Sequence, residues 1–447
     1  MELKQKNCLV VGLGISGLAT AKFLHKHGAK VVVTDTRSEK ELKKEINELK
    51  PLGVSFDLGK HNPDSFRNRD LIVVSPGVPY NIPTLNEARS AGVEIIGEVE
   101  LAFQHLSVPI LAITGTNGKS TTASLLHEMI IKEGKHSFLG GNIGRPLIEL
   151  ALSGESPDFA VVEVSSFQLE TTKTFHPHIA ICLNVTPDHL DRHSSFEEYV
   201  NFKRAIYAQM TKDDLLILYA DDEIARTFGD STSTPKLLFS RRSKVDDGCE
   251  IKEKSILFHG KAGTGELSLK QMKLFGEHNK ENIAAAALAA RSVGISNDSI
   301  QSAINEFTGL NHRMQFVREL NGVKFYNDSK GTNVGSTLKS LESFNEAVVL
   351  ISGGKDKETD LSPLSPTIEK TRAIILFGEA KSRMEKTWGK LTQTFVVDTL
   401  DEAVSLSKEK AKEGDVVLFS PACSSFDQFK DYVERGNAFI KAVNELS

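Results

Sequence analysis

The sequence predicts an α/β protein of three domains, each built on a largely parallel sheet with helical crossovers. Short apolar runs alternate with helical patterns along almost the whole chain, which is typical of parallel sheets. Two of these runs end in glycine-rich turns that open a helix, as in nucleotide-binding folds. The length of 447 residues exceeds what a single hydrophobic core usually serves.

The composition is that of an ordinary globular protein, with 40% hydrophobic residues, 25% charged residues and a net charge of -5. This balance gives no indication of nucleic-acid or membrane-surface binding. No apolar run approaches the roughly 20 residues that span a bilayer. Cys8, Cys182, Cys249 and Cys423 are far apart and form no CxxC pair, which is typical of buried thiols in a reducing compartment. We therefore expect a cytoplasmic protein without nucleic-acid or membrane partners. For the oligomeric state we expect a monomer.

The first domain is predicted over residues 1–97. A G-x-G-x-x-G turn at residues 12–17 joins its first strand to its first helix, and Asp35 closes the next strand. Such glycines let the backbone approach a diphosphate at a helix N-terminus. The turn favours a dinucleotide cofactor over a purely structural role, but a UDP-sugar needs the same donors. Thr36 and Arg37 either contact a nucleotide or are exposed loop residues. The strands are predicted at residues 8–11, 31–33, 71–74 and 93–96, with a helix over 16–27.

The second domain is predicted over residues 98–309 and opens with a second glycine turn. The turn follows a strand and departs from the strict GxxxxGK[ST] pattern, because position 113 is Ile and the two glycines are closer together. Its chemistry is still that of a P-loop: backbone N–H groups wrap phosphates, a lysine reaches the terminal phosphates, and a hydroxyl binds Mg²⁺. The residues predicted to bind ATP here are Gly115, Thr116, Asn117, Gly118, Lys119, Ser120 and Thr121. Strands are predicted at residues 110–113, 160–164, 179–185 and 215–219, small antiparallel strands between about 230 and 270, and a helix over 281–291.

Polar side chains follow the buried strands of this domain. Glu163 ends a strand and is placed to bind Mg²⁺, or else it is a carboxylate at a helix N-terminus. Asp188 and His189 follow another strand, at the edge where ligands of α/β proteins gather. Lys203 lies in a helical pattern beside Phe202 and, taken alone, is a surface lysine with a partly covered stem.

The third domain is predicted over residues 310–447, with strands at 348–351, 374–377, 395–397 and 416–419. Three polar segments follow its strands, at residues 327–333, 355–357 and 420–426. Caps and solvated loops account for part of this pattern. Because the segments share one edge of a sheet, they predict a ligand-facing rim.

Taken together, these motifs resemble those of the Mur ligase family, the ATP-dependent amide ligases that build the peptide of peptidoglycan. The resemblance covers the chain from end to end, and the departure of the P-loop from the strict pattern is the family's own form. Residues 163–170 and 420–429 are similar to the branch that adds D-glutamate. The other matching segments are residues 140–144, 188–192, 276–282, 312–313 and 327–337.

The resemblance implies a Rossmann-like N-terminal domain that binds UDP rather than a dinucleotide, a central ATPase domain and a Rossmann-like C-terminal domain. It implies that Ser16, Thr36, Arg37 and Asn142 bind the UDP substrate. Lys119, His189 and Lys203 would be catalytic. Two Mg²⁺ ions are implied: Ser120 and Glu163 would hold the first, and His189 and a carbamylated Lys203 the second. Further ATP contacts are implied for Asn279, Asn282, Arg313 and Asp328, and amino-acid contacts for Lys330, Thr332, Lys357, Ser425 and Tyr432, where the family often carries Phe.

The reaction implied is ligation of D-glutamate to the L-alanine carboxylate of UDP-N-acetylmuramoyl-L-alanine through an acyl phosphate. Three alternatives stay open at this point. The first is a different Mur ligase, which the motif at residues 420–429 argues against, or a folylpolyglutamate synthase, which lacks a domain like the first one here. A nicotinamide-dependent dehydrogenase accounts for the first glycine turn but leaves the P-loop unexplained. A binding module without catalysis accounts for both turns.

Overall fold

The computed structural model describes residues 1–189, 192–230, 232–274 and 276–447. These residues form two compact units: unit 1 comprises residues 1–272 and 281–306, and unit 2 comprises residues 273–280 and 307–447. Unit 1 contains two sheets and unit 2 contains one, so the predicted α/β class is confirmed. The domain boundaries at residues 97 and 309 stay predictions.

The first sheet of unit 1 is parallel throughout. Its elements are β1 (Asn7–Val11), α1 (Ile15–Lys26), β2 (Lys30–Asp35), α2 (Lys43–Leu49), β3 (Ser55–Leu58), α3 (Pro63–Phe66), β4 (Leu71–Val74), α4 (Pro83–Ser90) and β5 (Ile95–Gly97). The strand order β3-β2-β1-β4-β5 places β1 in the centre, as in a dinucleotide-binding half. The first glycine turn joins β1 to α1 and therefore lies at the carboxyl edge of the central strand.

The second sheet of unit 1 has nine strands in the described residues, in the order β14-β13-β12-β11-β10-β9-β6-β8-β7. The strands are β6 (Ile110–Thr114), β7 (Ser137–Gly141), β8 (Phe159–Glu163), β9 (Ile179–Cys182), β10 (Leu215–Tyr219), β11 (Lys236–Ser240), β12 (Gly248–Ile251), β13 (Ser255–His259) and β14 (Gly265–Ser268). The helices are α5 (Glu98–Phe103), α6 (Lys119–Lys132), α7 (Leu147–Ser153), α8 (Ser166–Leu169), α9 (Phe196–Arg204), α10 (His278–Ser292), which begins in unit 2, and α11 (Asn297–Glu306). The antiparallel strands expected between residues 230 and 270 are present as β12 to β14, whereas β11 pairs in parallel with both of its neighbours.

The sheet of unit 2 has the order β15-β16-β20-β17-β18-β19 and is parallel except for the β15–β16 pair. Its elements are β15 (Gln315–Leu320), β16 (Val323–Asn327), α12 (Val334–Leu341), β17 (Val348–Gly353), α13 (Ser365–Ile368), β18 (Ala373–Phe377), α14 (Lys381–Trp388), β19 (Gln393–Val396), α15 (Leu400–Lys410), β20 (Val416–Phe419) and α16 (Tyr432–Glu445). Because β16, β20 and β17 are neighbours, the loops that follow them meet at one edge. That edge carries the three polar segments predicted as a rim.

The core of unit 1 is continuous from one sheet to the other. One buried apolar cluster contains Phe23 of α1, Leu101 of α5, Ile148 of α7 and Ala180 of β9. Burial of apolar side chains contributes about 25 cal/mol per Å², so a shared core fixes the first sheet against the second. All four cysteines are buried and free, as expected from their spacing. Within the described ranges, every helix is too short or too polar to span a bilayer.

Candidate active site

The second glycine turn has the geometry of a phosphate-binding loop. It connects β6 to α6, and its two glycines adopt positive φ angles, 148° at Gly115 and 89° at Gly118. Ser120 and Thr121 lie in the first turn of α6 and are 3% exposed. The Lys119 ammonium donates to the carbonyl oxygens of Gly115 and Thr116, both at 2.9 Å. A cation and a helix N-terminus therefore face the same small space, which suits the phosphates of a nucleotide.

Asn184, which follows β9, fixes the loop through three hydrogen bonds. Its side-chain oxygen accepts from the Asn117 N–H at 2.8 Å, and its amide nitrogen donates to the Asn117 carbonyl at 3.0 Å. The backbone carbonyl of Asn184 also accepts from the Thr116 N–H at 2.8 Å. On the α6 side, Asn282 of α10 accepts from the Thr122 hydroxyl at 3.3 Å. Asn282, predicted to contact ATP, thus lies against the loop within unit 1.

Lys203 lies beside the loop and is buried, 1% exposed. The prediction from its helical pattern alone, a surface lysine, is wrong, because α9 turns this face toward the second sheet. The Lys203 ammonium donates to the Gly115 carbonyl at 2.9 Å and lies 4.5 Å from the centroid of the Tyr199 ring. Burial, together with the charge of Lys119, lowers the pKa of the Lys203 amine to about 7. An unprotonated amine is therefore accessible near neutral pH at the phosphate-binding loop.

Glu163 is a buried carboxylate, and only one of its two oxygens accepts a hydrogen bond within the described residues. It ends β8, the neighbour of β6, and is 2% exposed. Oε1 accepts from the Asn142 side-chain amide at 2.8 Å. Among the residues that the structure describes, Oε2 has no hydrogen-bond partner. A buried carboxylate oxygen without a partner is costly, so this atom fits a bound cation.

His189 lies at the same edge but is half exposed. Its backbone is left-handed, with φ of 56°, and its ring Nε2 lies 3.7 Å from Asp188 Oδ2. The ring also contacts Phe167 in a T-shaped arrangement, with 4.9 Å between centroids. Within the described residues, no group of three or more His, Cys, Asp and Glu side chains is arranged to hold a metal ion. The candidate donors are instead one carboxylate, one imidazole, one hydroxyl and one lysine, which suits Mg²⁺ because this ion keeps waters and phosphates as ligands.

The residues predicted to bind UDP line one cavity of about 480 Å³ in unit 1. The cavity brings together Ser16 of α1, Thr36 and Arg37 after β2, and Asn142 after β7. Asn142 belongs to the cavity and to the Glu163 pair at once, so the cavity adjoins the carboxylate. The remaining lining comes from Asp35, the first glycine turn, the loop after β4, Gly141 and the loop before α7, and Gln168.

Asp35 is engaged by protein groups. Its carboxylate accepts from the Leu13 N–H at 2.7 Å and from two guanidinium nitrogens of Arg37 at 3.1 and 2.8 Å. Burial raises the pKa of Asp35, but these donors outweigh it and hold the pKa below its usual value. In a dinucleotide site a carboxylate at this position binds the ribose hydroxyl, whereas here Asp35 is bound by Leu13 and Arg37.

Unit 2 contains the other predicted ATP residues, Asn279, Arg313 and Asp328, and their role stays a prediction. Asp328 is 4% exposed and accepts from the hydroxyls of Ser340 and Ser420 at 2.7 and 2.8 Å. Burial raises its pKa above the usual value. Arg313 Nε is buried and finds no hydrogen-bond partner in the described part of the chain. Such a donor fits an acceptor supplied by a ligand.

The predicted amino-acid residues lie along the carboxyl edge of the unit 2 sheet. The Lys330 ammonium lies 5.4 Å from the centroid of the Tyr432 ring, at the start of α16. The Lys357 ammonium donates to the Thr332 carbonyl at 3.3 Å. Ser425 is 2% exposed and follows β20. Two lysines and a hydroxyl group at one edge can pair with the carboxylates of an acidic amino acid.

Sequence reasoning missed Arg435, which fastens this edge together. The guanidinium is fully buried and donates to the carbonyls of Ser329, Cys423 and Ser424 at 2.8, 3.1 and 2.9 Å. These carbonyls belong to the loops that carry Lys330 and Ser425. A signal was present in the sequence, because Arg435 occupies the same helix face as Phe439 and Ala442, both buried.

Comparison with known proteins places the chain in one family along its whole length. Residues 6–97 match the Mur ligase MurD-like, N-terminal domain, residues 113–290 the Mur ligase middle domain, and residues 312–423 the Mur ligase, glutamate ligase domain. The chain is 46% identical over 444 residues to the UDP-N-acetylmuramoylalanine–D-glutamate ligase of Citrifermentans bemidjiense, covering 99% of this chain and 98% of that protein. It is also 46% identical over 447 residues to the ligase of the same name from Acidobacterium capsulatum, covering 99% and 97%.

Solved structures share the fold at lower identity. The UDP-N-acetylmuramate–alanine ligase of Thermotoga maritima is 20% identical, with a TM-score of 0.63 over 98% of this chain and 99% of that chain. A MurF structure from Acinetobacter baumannii is 17% identical, with a TM-score of 0.60 over 87% and 93%. On these matches over nearly its full length, together with a phosphate-binding loop and a carboxylate at the expected strand ends, the chain belongs to the Mur ligase family.

Proposed function

We propose that the protein joins D-glutamate to the L-alanine carboxylate of UDP-N-acetylmuramoyl-L-alanine, with conversion of ATP to ADP and phosphate, in the synthesis of a peptidoglycan precursor. The relatives at 46% identity are named for this ligation. The geometric observation that carries the proposal is the position of Asn142. It lines the cavity of the predicted UDP residues and donates to Glu163 beside the phosphate-binding loop. A UDP-linked carboxylate and the γ-phosphate of ATP are thereby expected to meet.

The first chemical step brings an anion against a polyanion. A carboxylate oxygen of the substrate attacks the γ-phosphorus, the bond to ADP breaks, and an acyl phosphate forms. Two unit charges about 4 Å apart repel by about 4 kcal/mol at an effective dielectric constant of about 20. Lys119 and the N-terminus of α6 supply positive charge against this repulsion.

The second step forms the amide. The amine nitrogen of D-glutamate attacks the acyl carbon and loses a proton, and the tetrahedral intermediate expels phosphate. Lys330, Lys357 and Ser425 are proposed to bind the two carboxylates and to orient the amine. An acyl phosphate hydrolyses readily, so orientation and exclusion of water decide the yield.

The donor set fits Mg²⁺. Ser120 and Glu163 would hold one ion, and His189 with a carbamylated Lys203 would hold a second. When bound, the ions neutralise phosphate charge and fix the reacting groups in line. The unpartnered Oε2 of Glu163 supports the first position.

Carbamylation of Lys203 is supported by its burial beside Lys119. The neutral amine attacks CO₂, loses a proton and becomes a carbamate anion. An anion here offsets the charge of Lys119 and gives a lysine position the charge of a metal ligand. We also propose that the enzyme is a cytoplasmic monomer, which light scattering of the purified protein and cell fractionation test.

Phosphate release from ATP tests the proposed reaction. The assay contains Mg²⁺, UDP-N-acetylmuramoyl-L-alanine and one amino acid from a panel that includes both enantiomers of glutamate. We expect release only when the UDP-sugar and D-glutamate are both present. Release with another amino acid would contradict the substrate assignment, and release with none would contradict ligase activity.

A further inference from the structure

Arg192 bridges two parts of unit 1 that the proposed chemistry uses separately. Its guanidinium donates to the Val78 carbonyl at 2.8 Å and lies 3.5 Å from the carbonyl oxygens of Pro76 and Gly77. Three successive carbonyls of one loop thus face a single cation. Hydrogen bonds from a charged donor are about twice as strong as neutral ones, so this contact holds the loop firmly.

The loop at residues 76–78 forms one wall of the cavity that collects the predicted UDP residues. On its other side it is tied to the first glycine turn. Ser75 donates from its hydroxyl to the Gly12 carbonyl at 2.8 Å, and its N–H bonds to the Val11 carbonyl at 2.9 Å. A side chain at Gly12 would place its Cβ 2.8 Å from Val78. The loop is therefore packed tightly between the glycine turn and Arg192.

The opposite face of Arg192 lies on the Phe167 ring, with 4.7 Å between the guanidinium carbon and the ring centroid. The same ring stacks on His193 at 5.1 Å and meets His189 at 4.9 Å. Beside Phe167, the Ser166 hydroxyl lies 3.0 Å from His193 Nε2. Arg192 and His193 thus clamp the start of α8 to the segment that carries His189.

We propose that Arg192 is a positioning residue that couples the UDP-sugar cavity to the His189 segment, and this rests on the function proposed above. The guanidinium can link the two parts because its flat face stacks on the Phe167 ring while the N–H groups at its edge donate to the loop at 76–78. A carbonyl oxygen that accepts a hydrogen bond from Arg192 also repels an anionic diphosphate in the cavity less than a free carbonyl oxygen would. Lysine has a compact charge without a plane and cannot make both contacts together.

Binding calorimetry tests this position separately from activity. For Arg192→Met we expect affinity for UDP-N-acetylmuramoyl-L-alanine to fall by about tenfold or more, the typical effect of losing a charged hydrogen bond. Arg192→Lys should recover only part of the loss. Affinity for ATP should stay within about twofold, and the melting temperature should fall by no more than about 4 °C, because Arg192 is only partly buried.

Arg89→Met provides a matched control. Arg89 also combines a ring contact with a backbone bond, since it lies 4.3 Å from the Tyr80 ring and donates to the Tyr80 carbonyl at 3.0 Å. It belongs to the first domain but makes neither of the Arg192 contacts. We expect UDP-sugar affinity equal to that of the wild type.

A double-mutant cycle with Phe167→Leu tests the coupling itself. If Arg192 acts through Phe167, the double variant should bind the UDP-sugar within about threefold of Arg192→Met. Independent, multiplicative losses would overturn the coupling, and so would wild-type affinity in Arg192→Met or an equal loss of ATP binding. Failure of the wild type itself to bind the UDP-sugar would instead overturn the proposed function, so the two failures are distinguishable.

Discussion

At the scale of the residue, the amine of Lys203 illustrates how position decides chemistry. The same helical pattern that predicts a solvated lysine places the amine 2.9 Å from the phosphate-binding loop, because α9 packs the face that carries Tyr199 and Lys203 inward. The sequence of a helix alone does not determine which of its faces will pack against the rest of the domain. Only the resemblance to a family identified this residue in advance, and the structure adds burial and a neighbouring cation as the physical reason.

For Lys203→Ala we expect activity to fall by more than about a hundredfold, since even residues outside a metal's ligand shell typically contribute about 10- to 100-fold. Formate should restore part of the activity, because a small carboxylate can replace the lost anion. The measurement is phosphate release with and without formate. Lys212→Ala, at an exposed position outside α9, is the control and should behave as the wild type. Substantial activity in Lys203→Ala without formate would contradict the carbamate.

Glu98 is a second buried ionisable residue, and it lies at the start of α5. Its Oε1 accepts from the Ile148 N–H at 2.6 Å, and in the described residues Oε2 has no hydrogen-bond partner. Burial raises the pKa of Glu98 to about 7. In the unfolded state the pKa of this carboxyl is near 4.5, so between about pH 4.5 and 7 the folded state holds a proton that the unfolded state has released. The stability of the fold therefore decreases as the pH rises through this range.

Glu98→Gln imitates the protonated carboxyl, so its free energy of unfolding should exceed that of the wild type increasingly with pH. Between pH 5 and 8 we expect the difference to grow by about 2 kcal/mol. Urea denaturation at several pH values measures it. Glu253→Gln, whose side chain is 85% exposed, should show no such trend. A constant difference for Glu98→Gln would contradict the raised pKa.

At the scale of the element, many of the strands could be predicted from their continuous apolar runs, whereas much of the site could not. β4, β10 and β20 have the predicted bounds, because buried parallel strands are continuous apolar runs. β9 ends at Cys182, earlier than predicted, since Asn184 turns to hold the phosphate-binding loop. β7 was not predicted, because its five residues include Gly140 and Gly141 and glycine is depleted in strands.

The phosphate-binding loop depends on the space that Gly118 leaves open. Its φ is 89°, and an added Cβ would lie 2.2 Å from the Asn282 side-chain oxygen. For Gly118→Ala we expect ATP affinity to fall by at least about tenfold while UDP-sugar affinity is retained, because the clash is confined to the loop. Calorimetry with each ligand measures this.

Gly134 offers a control with the same backbone conformation. Its φ is 80°, and within the described chain no heavy atom lies within 4 Å of an added Cβ. Gly134→Ala should therefore cost about 1 kcal/mol of stability and leave ATP affinity unchanged. Equal losses of ATP affinity in the two variants would contradict a specific role for the Asn282 contact.

Helix α16 holds the amino-acid edge of unit 2 through Arg435. Burial lowers the pKa of this guanidinium to about 10, which still leaves it charged at neutral pH. For Arg435→Met we expect the KM for D-glutamate to rise by about tenfold or more, because two loops lose their common donor. Steady-state kinetics measure this, with the melting temperature recorded to detect unfolding.

Arg318→Met is the matched control, since Arg318 donates to the Asn444 and Leu446 carbonyls at the other end of the same helix. Its KM for D-glutamate should equal that of the wild type. If Arg435→Met and Arg318→Met raised KM equally, the effect would belong to helix docking rather than to the edge. Arg435→Lys should recover part of the loss, because it keeps the charge but offers fewer directed donors.

At the scale of the whole molecule, we propose that one chain carries three binding functions on related sheets. In unit 1 loops of both sheets line the cavity proposed for a UDP-sugar, and the second sheet carries the phosphate-binding loop, with Asn142 and Glu163 between the two. Unit 2 offers an edge with two lysines and a serine. The first glycine turn alone predicted a nucleotide but not which one. The second glycine turn and the family match along the chain decide against a dehydrogenase.

The central claim is that the L-alanine carboxylate is activated by transfer of the γ-phosphoryl group and then captured by D-glutamate. Oxygen-18 in that carboxylate tests the claim most directly. The attacking oxygen stays bound to phosphorus when the amine expels phosphate, so mass spectrometry should find one labelled oxygen in the released phosphate and the other in the new amide. Unlabelled phosphate, formed at the rate of amide synthesis, would contradict the acyl phosphate and with it the mechanism.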